Sequence, residues 1–85
     1  MTKVPVSSIQ AGDVIMPPER ELRLWMRRDR AEKGLPESSL YITVTEVVPD
    51  RAGWVRMRGT GECVGRWSIL AKLTTQWQVV QRQEA

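Results

Sequence analysis

Arginine is the residue through which this sequence could do chemistry. Ten of its thirteen basic residues are arginine, three are lysine, and histidine is absent. A guanidinium forks onto phosphate or carboxylate with two hydrogen bonds and stacks on aromatic rings, whereas an ammonium is a point charge. Coding bias in a GC-rich genome would enrich arginine as well. Two groupings stand out by spacing. Arg20, Arg23, Arg27 and Arg30 recur at intervals of three, four and three, which lines them along one stripe of a helix. Arg56 and Arg58 alternate with Val55 and Met57 directly after Trp54, which on a strand places Trp54, Arg56 and Arg58 on one face. Arg66 stands in the next extended stretch, and beside Arg56 it would complete a basic platform carrying one indole. Guanidinium groups beside a stacking ring are the pattern of single-strand nucleic-acid binders. The bland alternative for the same strand is a Trp54 filling a corner of the core, with arginines extended over it.

Other chemistries are poorly provided for. Without histidine the commonest general base is missing, so no enzymatic activity is expected and no catalytic residue is assigned. Cys63, the single cysteine, excludes an intrachain disulfide and reads as a small core residue. No metal site is expected, because Glu62 and Cys63 lack visible companions. The glycines of GTGECVG match neither a dinucleotide fingerprint nor a P-loop in spacing, and a hairpin rather than a helix follows them, so no cofactor is expected.

The bulk properties fit a small basic domain. Eighty-five residues form one domain, 1–85, with a net charge of +3. That balance favours an anionic partner without requiring one. No apolar run approaches the roughly 20 residues of a membrane helix. The opening MTKVPVSSIQAGDV lacks the apolar centre of a signal peptide, so a cytoplasmic chain with no membrane partner is expected.

These residues must be held by elements whose signals are local. VSSIQAGDVIM reads as a turn followed by a strand at residues 14–16, stopped by Pro17-Pro18. A helix is predicted over about residues 18–33. Proline opens it, Glu19 and Glu21 sit in its first turn, Lys33 in its last, and Gly34-Leu35-Pro36 stops it. Leu22, Trp25 and Met26 form its core-facing stripe. The alternation of residues 21–26 also allows a strand there. From Leu40 the period becomes two, with Leu40, Ile42, Val44 and Val48 on one side. A turn follows at Pro49-Asp50 and Gly53, then a strand from Trp54, a hairpin at Gly59-Thr60-Gly61, a strand over residues 62–70, a turn over 72–76, a last strand over 77–80 and a frayed tail. The stretch IQAGDVI with short strands after it resembles the opening of SH3-like small barrels, a resemblance that implies architecture only. The expected fold is thus α+β: a curled antiparallel sheet, or partly open SH3-like barrel, of about five strands. One helix is placed between the first and second strands.

The helical stripe has two readings. Four guanidiniums in a row could track phosphates. Against this, Glu19–Arg23, Arg28–Glu32 and Asp29–Lys33 are all (i, i+4) pairs, and residues 19–33 hold six bases against four acids. The function expected is a small, non-catalytic nucleic-acid-binding or nucleic-acid-associated protein. It would dock DNA or RNA through Arg20, Arg23, Arg27, Arg30, Arg56, Arg58 and Arg66, with Trp54 stacking on a base. The alternative is an SH3-like interaction module or small subunit that uses Trp25 or Trp54 as a protein-interface anchor.

Overall fold

A computed structural model describes residues 2–18 and 24–82. Six antiparallel strands form one sheet: β1 (Thr2–Pro5), β2 (Val14–Met16), β3 (Ile42–Pro49), β4 (Trp54–Gly61), β5 (Gly65–Lys72) and β6 (Gln76–Gln81), in the order β1-β6-β2-β3-β4-β5. The sheet curls without closing, so β1 and β5 remain its edges. Backbone bonds from Val6 to the Thr75 carbonyl (2.9 Å) and from Ser7 to the Leu73 carbonyl (3.1 Å) tie the segment after β1 to the β5–β6 turn. One core fills the concave side, with Ile15, Ile42, Val44, Met57, Trp77 and Val79 among its buried members.

The strand count corrects the expectation of five. No element is predicted for residues 2–5, yet they pair with β6 from Thr2↔Val79 to Pro5↔Gln76. Pro5 ends that strand, as a residue without an N–H does at an edge. The helix therefore follows the second strand, not the first.

Helix α1 runs over Leu24–Lys33. The predicted start at residues 18–23 falls partly outside the described residues, and Pro18 itself is not helical. The stop is as predicted. Gly34 takes φ +66°, its N–H bonds the Ala31 carbonyl at 3.2 Å, and the Leu35 N–H bonds the Arg30 carbonyl at 2.9 Å. Those two bonds satisfy carbonyls that a helix end otherwise leaves orphaned. Met26 packs with Leu40 and with Met16, Cys63 and Val64 in a second small cluster, which seats the helix beside the β4–β5 turn.

Two further expectations shift because of close strand contact. Gly59 and Gly61 lie inside β4, not in a hairpin turn; the turn is at residues 62–64, with Gly61 paired to Gly65. A Cβ on Gly59 would lie 2.5 Å from the Thr43 carbonyl oxygen, and one on Gly61 2.6 Å from that of Tyr41. Glycine is therefore needed where β4 crosses β3. In β3 the partner register passes from Val44↔Gly59 to Glu46↔Arg58, leaving Thr45 as an extra residue. That bulge reverses the alternation. Ile42 and Val44 point inward, but beyond the bulge Val47 packs on the core and Val48, expected inside, is 41% exposed.

Candidate nucleic-acid interface

Strand β4 alternates as its sequence predicts. Val55 and Met57 are buried, and Trp54, Arg56, Arg58 and Thr60 occupy the opposite face. The unbroken β4–β5 register then fixes their neighbours: Trp54↔Lys72, Arg56↔Leu70, Arg58↔Ser68 and Thr60↔Arg66. Successive same-face rows are about 7 Å apart, so this surface runs about 20 Å from Trp54 to Thr60.

Arg66 does not fall beside Arg56, as the platform was first drawn. It is diagonal to Arg58, in the adjacent row. Arg58 and Arg66 line one depression of about 410 Å³ together with the hydroxyl-bearing Thr45, Thr60 and Ser68. Arg56 donates from Nη1 to the Ser68 hydroxyl at 3.2 Å, which draws its guanidinium toward the same row. Two carboxylates lie among these cations. Glu46 approaches Arg58 at 3.6 Å, with the side chains 50% and 60% exposed, and Asp50 approaches Arg51 at 3.6 Å. Exposed pairs of this length contribute at most about 1 kcal/mol and are screened by salt, so neither holds its arginine against a competing anion. The Thr45 bulge is what brings Glu46 opposite Arg58.

Trp54 is half-buried and stands outside the main core cluster. The cations over its ring are not those suggested by the sequence. The Arg51 guanidinium carbon lies 5.5 Å from the ring centroid and the Lys72 ammonium 5.4 Å, both within cation–π range. Arg51 comes from the β3–β4 turn and Lys72 from the end of β5, so sequence alternation along β4 alone could not reveal either. Lys72 becomes visible only once β5 is placed in register with β4. Trp67 and Trp77 meet edge to face at 5.7 Å; Trp77 is buried and Trp67 half-buried against the core.

The helical arginines are arranged differently. Arg20, Arg23 and Leu22 lie outside the described residues, as does the side chain of Trp25. Arg27 is half-buried and already engaged. Arg30 turns back on its own helix end, with Nη1 3.5 Å from the Leu35 carbonyl. Asp29 and Lys33 form their (i, i+4) pair at 3.1 Å. Of the three predicted (i, i+4) pairs, Asp29–Lys33 is the one seen among the described residues.

One polar cluster was missed altogether. Asp13 is fully buried behind Gly12. Its Oδ2 accepts from the Gln10 backbone N–H at 3.0 Å and from Arg82 Nη1 at 3.1 Å, and Arg82 Nη1 also donates to the Ser8 carbonyl at 3.2 Å. Arg82, expected in a frayed tail, is instead a clasp across the β1 end of the sheet. Cys63 is half-buried, with Sγ 3.5 Å from the Ser39 hydroxyl. Among the described residues no group of three or more His, Cys, Asp or Glu could hold a metal ion, and no helix is long and apolar enough to cross a membrane. Comparison with protein-family models, with curated proteins and with solved structures finds no match to this chain.

Proposed function

We propose that this chain is a non-catalytic nucleic-acid-binding protein, and that the outer face of β4 and β5 is its contact surface. Arg58 and Arg66 hold a phosphate in the depression between them, aided by the Thr60 and Ser68 hydroxyls. Arg56 takes a neighbouring phosphate. Trp54 offers its indole to a base, with Arg51 and Lys72 exchanging their contact with the ring for contact with the backbone of the strand. The helix then has a packing role, and its arginines are accessory at most. The architecture on which this rests is a partly open SH3-like barrel, a reading supported by six short antiparallel strands curling round one core.

The observation that carries the proposal is the meeting of Arg58 and Arg66, from different strands of the face that carries Trp54, around one depression lined also by three hydroxyls and Trp67. Electrostatic docking of this kind weakens as salt displaces the protein from phosphate. Fluorescence anisotropy with labelled single- and double-stranded DNA and RNA tests it. Micromolar or tighter binding at about 50 mM salt that falls by an order of magnitude or more at about 200 mM supports the reading. A flat titration at low salt with all four probes removes it.

A further inference from the structure

The two edges of the sheet are unequally protected. β1 is four residues long, carries Lys3 and ends at Pro5. β5 is eight residues long, contains no proline, and keeps an unbroken register with β4 from Gly65 to Lys72. Among the described residues β5 pairs with β4 alone. In an antiparallel ladder, groups facing the partner alternate with groups facing away, so about half of the β5 backbone N–H and C=O groups point outward. A long, regular edge of this kind is a template for another strand.

Beside that edge lies a recess of about 170 Å³ whose lining includes Trp54, Ile69, Ala71, Lys72, Thr75 and Trp77. Trp77 is 2% exposed, and its indole N–H is buried with no acceptor among the described residues.

The charges decide which occupant fits. The strand GRWSILAK carries Arg66 and Lys72 and no acid. Two copies pairing antiparallel about Ile69 would set Arg66 of each against Lys72 of the other, and like charges directly opposite destabilise a sheet. A strand alternating acidic with apolar residues has the opposite effect. Its carboxylates face Arg66 and Lys72 on the outer side while its apolar side chains meet Trp67 and Ile69 on the inner side. We propose that β5 is a docking edge for an extended acidic peptide segment, which adds a seventh strand to the sheet. This goes beyond nucleic-acid binding: its backbone contacts lie along the edge of β5, while Arg66 and Lys72 serve both partners.

The test uses the full chain and an acetylated octapeptide alternating Glu and Val, compared with its Lys/Val counterpart. The acidic peptide is expected to bind about tenfold tighter, the effect of its exposed ion pairs with Arg66 and Lys72, and to slow amide exchange at alternate residues of β5. Two further versions of the acidic peptide are N-methylated at every second residue, in opposite phases. One phase is expected to bind and the other to fail, because only one leaves the pairing N–H groups free. Equal binding by both phases, or binding without protection of β5, would mean that the peptide merely adheres to the cations, and overturns the proposal. Protection of β5 in the chain alone, with a doubled mass by light scattering, would assign the edge to a second copy and also overturns it. Failure of every peptide while oligonucleotides still bind refutes the edge and leaves the face untouched.

Discussion

Strands β5 and β6 are neighbours in sequence and opposites in character. β6 buries Trp77 and Val79, is paired on both sides, and leads into Arg82, whose guanidinium clasps the buried Asp13. β5 buries only Ala71 fully, leaves Trp67 and Ile69 half-covered, and is paired on one side. Buried side chains are concentrated in β2 and β6 and along the inner faces of β3 and β4. The cations that could meet a ligand stand on the opposite side of β4 and β5, where substitution disturbs little packing. A small sheet can thus divide its labour by face, since the period of two sends successive side chains to opposite surfaces.

That division can be broken by substitution. Met57 is fully buried on the inner side of β4, so Met57→Ala should destabilise by about 2–5 kcal/mol in urea unfolding, whereas Leu70→Ala, on the outer side of β5, should remain below about 1 kcal/mol. Equal losses at the two positions would dissolve the contrast. Gly59→Ala comes next, because its Cβ would meet the Thr43 carbonyl oxygen and Ile42 Cγ2 and force β3 from β4; about 1–3 kcal/mol is expected from the same measurement. Arg82→Ala takes from the buried Asp13 carboxylate one of its partners, and about 1–3 kcal/mol is expected, with little dependence on salt because the acid is enclosed. At the bottom of the scale, Asp29→Ala removes an exposed helix pair and should shift stability by about 0.2–0.5 kcal/mol, a change that added salt erases.

The parts legible in the sequence are those set by local rules. The Gly34-Leu35 stop, the inward Val55 and Met57, and the last strand follow from backbone preference and alternation within a few residues. The rest depends on contacts between distant segments. The Thr45 bulge is imposed by pairing with β4 and flips Val47 and Val48. Gly59 and Gly61 look like turn residues until β3 is laid across them. The β1 strand has four residues and too little alternation to be seen without β6. The Asp13–Arg82 pair links positions 69 apart, which no window along the chain can detect. For the candidate surface, Arg56, Arg58 and Trp54 could be placed on one face by counting, but the partnership of Arg58 with Arg66, and of Trp54 with Lys72, required the β4–β5 register.

The proposed surface is examined most directly by the salt dependence of oligonucleotide binding for the native chain and for an Arg58→Ala, Arg66→Ala double variant. Each phosphate contact on a single strand contributes about 0.7 to the slope of log affinity against log salt. If the two arginines hold one phosphate between them, the slope should fall by about 0.7 in the variant while its unfolding midpoint stays near that of the native chain. An unchanged slope, with both proteins folded and binding, would place the contact elsewhere on the molecule.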